Sequence, residues 1–139
     1  MTHDDDIDLT DAERAHFDRL MDTVIQAMPE RVQRLFNQVP LVVEDYPAEQ
    51  IIQSFELERR DELCGLHDGV PLTARSVEDS GDVPDFIMIY REGIIAAAVD
   101  EQGDVHDREL LKQIRITVLH EVGHHFGLDE DDLDQLGYA

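Results

Sequence analysis

Basic residues are scarce in this chain. Eleven Lys and Arg stand against 33 Asp and Glu, a formal charge of −22 over 139 residues, and Lys112 is the only lysine. A surface of that sign repels phosphate polyanions and anionic bilayers, which argues against nucleic acid and membranes as partners. A solvated acidic surface accounts for the imbalance without any acidic-ligand function. Cysteine is nearly absent too: Cys64 stands alone, so no intrachain disulfide forms and oxidising export gains no support. Its acidic neighbours Asp61 and Glu62 argue against a reactive thiolate and for a small buried side chain. Long apolar runs are missing as well. The longest, Ile94 to Val99, falls far short of the ~20 residues a membrane helix needs. The opening Met-Thr-His-Asp-Asp-Asp is the reverse of a basic signal-peptide start, so the default compartment is cytoplasmic.

The apolar fraction is ordinary at 42%, and the length suits one domain with one core. Residues 1–8 read as a flexible acidic N-terminus and 9–139 as a single domain. Thr10 and Glu13 have capping-box spacing, and Phe17, Leu20, Met21, Val24, Ile25 and Met28 follow at three- and four-residue intervals. This predicts an amphipathic helix over 10–27. Pro29 suits the first turn of a second, 29–37, burying Val32, Leu35 and Phe36.

Leu41-Val42-Val43 predicts a strand, and 48–61 a loop with a helical turn. Leu63–His67 and Val70–Thr73 read as two short strands about an Asp68-Gly69 turn. A loop over 74–85 leads to the clearest strand, Asp85–Tyr90. The Ala-rich piece between Gly93 and Gly103 fits either a helical turn or an edge segment.

Helical period returns near Asp107, with Leu111, Ile114, Val118 and Val122 in one stripe, widened by Leu110, Leu119 and Phe126. The opposite stripe is Gln113, Thr117, His120 and His124. His120 and His124 are four apart, ~40° around a helix axis and ~6 Å along it, so two imidazoles can converge on one ion. Glu121 lies ~60° round from His124, awkward as a ligand but well placed to hold a water. The alternative is a chance spacing on a solvated face. The apolar run leading in, Gly127 three residues after His124, and the acidic cluster from Asp129 favour the metal site. Gly123 would let another backbone approach this turn, and Gly127 suits the position that stops the helix.

His-Glu-Val-Gly-His-His-Phe-Gly over 120–127 carries the zincin signature H-E-x-x-H. The metzincin pattern takes its third ligand ten residues after the first His, and Asp-zincins have Asp there; in this chain the position is Glu130. Asp129 and Asp131 are rivals. The expected metal set is therefore His120, His124 and Glu130 around Zn2+, with Glu121 as general base. His125 faces ~100° away from His124 and suits packing, while His67 and His106 could join only through tertiary contacts. Tyr138 is a candidate donor to the oxyanion, a floor under the histidines, or an anchor for the final turn.

The assembly resembles the small bacterial single-domain zincin-like metallopeptidases, the mini-zincins. Val42–Asp45, Gly65–Thr73, Pro84–Tyr90, Thr117–Gly127 and the terminal Leu-Gly-Tyr carry the resemblance. No Met follows the motif, so a metzincin Met-turn is absent. The resemblance implies an α+β fold, a minimal zincin-like domain in which a small mixed β-sheet packs with N-terminal helices and a C-terminal metal-binding helix. It implies zinc-dependent hydrolysis of a peptide or protein substrate, with the Phe86–Tyr90 strand as a cleft rim where a peptide adds by strand pairing. A non-catalytic zincin-fold module, binding metal or a protein partner, is the competing expectation, since little chain remains to build subsites.

Overall fold

Thr10 begins the first helix with its side chain. Its hydroxyl accepts from the Glu13 amide at 3.1 Å while its own amide donates to the Glu13 carboxylate at 2.8 Å, closing the capping box. The computed structural model describes residues 7–67 and 86–126, with the side chains of 67, 125 and 126 left aside. Helix α1 (Asp11–Ala27) buries Phe17, Met21 and Val24, and Met28 closes its end. Helix α2 (Glu30–Leu35) is shorter than the sequence predicts. Pro29 caps it from outside, its carbonyl accepting from Val32 and Gln33, and turn hydrogen bonds take over at Asn37 to Val39.

Strand β1 (Leu41–Glu44), helix α3 (Glu49–Ser54) and strand β2 (Gly65–His67) follow, then β3 (Ile87–Tyr90). The sheet order is β1-β3-β2, with β1 parallel and β2 antiparallel to β3. This sheet corrects one expectation. β3 is the central strand, hydrogen-bonded along both edges, so it has no free edge to which a peptide could add. Its apolar run reads so clearly because Ile87 and Ile89 are wholly buried in the middle of the sheet. The second half of the expected hairpin and the 74–85 loop lie outside the described residues.

The ambiguous Ala-rich piece is a helix, α4 (Arg91–Ala97), starting directly from β3. Arg91 joins three elements: its guanidinium holds both oxygens of Asp18 on α1 at 3.0 Å and Asp45 after β1 at 2.9 Å. Gly93 lets α4 sit on the main chain before β2; a Cβ there would stand 2.1 Å from the Leu63 carbonyl oxygen. A tight loop, bridged by Val99 and Val105, leads to helix α5 (Asp107–Phe126).

Helix α5 packs against α1, α4, β2 and β3. Leu110, Ile114, Val118, Leu119 and Val122 are buried, whereas Leu111 is only half-buried and Thr117 takes a place in the interior. The reason is that β2 and β3 cover the Thr117 side of the helix, which periodicity alone assigns to solvent. The family expectation of a small mixed sheet with helices packed on it describes this fold. Among the described residues, no helix is long and apolar enough to cross a membrane.

Candidate metal site

The last two turns of α5 carry His120, Glu121 and His124, held by the buried stripe on the other side of the same turns. His120 and Glu121 are half-buried and His124 is exposed. The two imidazoles lie side by side, ring centroids 4.2 Å apart and planes inclined at 60°. An i, i+4 helical pair is expected to meet in this way, and the donor set is one that zinc accepts. The expected third ligand Glu130, its rivals Asp129 and Asp131, the helix stop at Gly127 and Tyr138 lie outside the described residues.

Glu121 does not stand on an open face. It leans on β2, where a Cβ built on Gly65 would lie 2.9 Å from its Cγ. One turn earlier Thr117, 7% exposed, has its hydroxyl within electrostatic reach of the Cys64 thiol and brings its methyl to the same strand. Burial raises the thiol above its usual range; the Thr117 hydroxyl opposes that shift, and the negative charge of Glu121 adds to it. Cys64 is thus a protonated neighbour of the candidate base, as its acidic sequence surroundings suggest. Tyr90, at the end of β3, is likewise raised by burial and then by the charges of Glu44 and Glu121. Its amide donates to the Cys64 carbonyl at 2.9 Å, which fixes the β3 terminus beside β2.

Cys64, Gly65 and Thr117 therefore lie about Glu121, and Tyr90 feels its charge, a neighbourhood that motif spacing does not reveal. The available signal was the inclusion of Gly65 and Thr117 in the segments that resemble the mini-zincins. A close approach is made at Gly65, on the strand. His106 is not brought to the pair. It precedes α5, ~20 Å along the helix from His120, and faces Asp100 at 3.2 Å.

Asp100, Asp104 and His106 do form a group whose ligand atoms lie within 4.8 Å of one another. Asp100 is already committed there, accepting from the amides of Gln102 and Asp104 at 2.9 Å each. Those hydrogen bonds, the Asp104 amide foremost, hold its carboxyl below the usual range. The group closes the loop before α5.

Residues 36–138, more than half the chain, match the model of the zincin-like metallopeptidases. The chain belongs to the zincin-like metallopeptidase family. The match includes the whole of β1 to α5, and helices α1 and α2 precede it. No curated protein matches the sequence. Zinc is the metal that this family typically binds, and the paired imidazoles of this zincin-like chain suit it by ligand type.

Proposed function

We propose that this protein is a zinc-dependent peptidase in which His120, His124 and Glu130 hold the metal and Glu121 is the general base. The observation that carries the reading is the pairing of the two imidazoles on the turn that also projects Glu121 against Gly65. When bound, zinc supplies a Lewis acid that acidifies water and polarises a carbonyl.

The chain's own residues do the rest. The Glu121 carboxylate accepts a proton from the water that attacks the scissile carbonyl carbon, then returns it to the leaving amine nitrogen as the C–N bond breaks. Packing against β2 restricts the rotamers of Glu121, so the base is held before substrate arrives. Tyr138 is the proposed donor to the oxygen that gains charge during attack. The substrate is a peptide or protein; the charge of −22 disfavours phosphate polyanions and anionic bilayers as partners.

Metal analysis of the purified chain and cleavage of a quenched-fluorescent peptide library test the reading together. About one zinc per chain is expected, with cleavage lost on chelation and restored by zinc. Glu121→Gln should retain the metal and lower kcat by roughly 10²–10⁴, the usual contribution of a general base. Zinc-loaded wild type that leaves every peptide intact would favour a binding module, and undiminished cleavage by Glu121→Gln would remove the proposed base.

A further inference from the structure

We infer that Gly65 is a positioning residue: the missing side chain at this point of β2 fixes where the Glu121 carboxylate stands. The inference builds on the reading of Glu121 as general base, although the packing claim beneath it can be judged separately.

Register sets the direction in which a side chain at 65 would point. Gly65 pairs with Ile89, whose side chain is wholly buried toward α5. Its neighbour Leu66 pairs with Met88, and both line a cavity of about 510 Å³ on the other face. A side chain at 65 would therefore enter the narrow space between strand and helix.

Three atoms close that space. A Cβ on Gly65 would lie 2.9 Å from Glu121 Cγ, 3.0 Å from the Met88 carbonyl oxygen and 3.1 Å from Thr117 Cγ2. Contacts under 3.0 Å are essentially never made by real Cβ atoms, so something must move. Met88 is main chain in the central strand, held from both sides. Thr117 is 7% exposed, packed into the interior. The nearest of the three, Glu121 Cγ, belongs to a half-buried side chain on the last turns of α5, and the displacement falls there.

Backbone freedom is not what this glycine provides. The positive φ found among the described glycines belongs to Gly103, not Gly65. The requirement is for space, and the side chain that occupies it is the proposed base. Gly93 differs, since what it admits is the main chain of Leu63 and Cys64.

A double-mutant cycle on the metal-free protein reads the packing without substrate or zinc. Gly65→Ala should lower Tm by roughly 5 °C, the scale of a tight overpacked contact in a domain of this size. Combined with Glu121→Ala, the same change should cost less than about half as much, because the crowded Cγ is gone. Equal losses in both backgrounds would overturn the inference. If Gly65→Ala alone does not fold, rescue by Glu121→Ala supports it and failure of that rescue overturns it.

In the zinc-loaded protein, Gly65→Ala should reduce kcat about tenfold or more, with KM within roughly threefold and zinc stoichiometry unchanged. Adding Thr117→Ser, which removes the crowding methyl but keeps the hydroxyl, should recover part of that loss by letting the new Cβ move off Glu121 Cγ. Unchanged kcat, or a loss that tracks zinc content, would overturn the positioning role. Absence of turnover in the zinc-loaded wild type would sink the peptidase reading alone, since the stability cycle would still judge the packing.

Discussion

Replacing Gly93 with alanine sets two effects of opposite sign against each other. Gly93 lies inside α4, where Ala is preferred over Gly by about 1 kcal/mol, so propensity alone predicts a more stable protein. The tertiary contact predicts the reverse. The new Cβ would stand 2.1 Å from the Leu63 oxygen and 2.6 Å from its carbonyl carbon, where ordinary contact begins at 3.4 Å.

Both partners are main chain, so no side chain can swing aside, and α4 or the segment before β2 must shift by roughly 1 Å. Such a shift disturbs Ile94 and Ala98, which are 0% and 2% exposed, and the hydrogen bond from Tyr90 to Cys64. Overpacking of well-filled cores costs about 1–3 kcal/mol, and main-chain overlap belongs at or above the upper end. The net expectation is a loss of about 2–3 kcal/mol, against a total stability of about 5–15 kcal/mol for a domain of this kind.

Urea unfolding at constant m should show it as a lower midpoint. Ala96→Gly, on the exposed face of the same helix, isolates the propensity term and should cost about 1 kcal/mol. A Gly93→Ala protein as stable as wild type would mean that α4 does not rest on Leu63, and the placement of β2 beside α5 would need revision.

Two further outcomes follow from the charges around the core. Because burial and Glu121 raise the Cys64 thiol, its alkylation should reach half-maximal rate at a higher pH than an ordinary cysteine, and Glu121→Gln should bring that pH down. The sign for folding agrees: a thiol held protonated in the native state contributes stability below its unfolded pKa of ~8.5, lost as pH rises through the raised value. A midpoint unmoved by Glu121→Gln would place the carboxylate away from the thiol. Separately, Arg60 is 9% exposed and grips Glu92 through two hydrogen bonds of 2.8 and 2.9 Å. Glu92→Ala should cost about 2–3 kcal/mol in urea unfolding, below the usual loss for breaking a buried pair because Asp8 and the Tyr46 ring still face the guanidinium. Joint replacement by Arg60→Met and Glu92→Leu should recover most of it, and a loss under about 0.5 kcal/mol for Glu92→Ala would show the pair to be solvated.

Local patterns were enough to read much of this molecule. The capping box at Thr10, the apolar stripe of α1, the strands at 41–44 and 87–90, and the stripe of α5 depend on neighbours within a few residues. His120 and His124 are close for the same reason, since one helical turn joins them. Whether Ile94 to Ala97 would be helix or strand was not legible, because alanine-rich pieces fit both and packing on Leu63 decides.

The sheet order was equally hidden. β1 and β3 are parallel neighbours across more than forty residues, and that pairing, with β2 on the other edge, closes the strand expected to form an open rim. By itself the sequence determined the chemistry available on α5, because ligand spacing is a property of a single helix. Only the tertiary structure decided what surrounds Glu121: Cys64 and Gly65 come from a segment far away in the chain, and close packing of strand on helix puts them beside it.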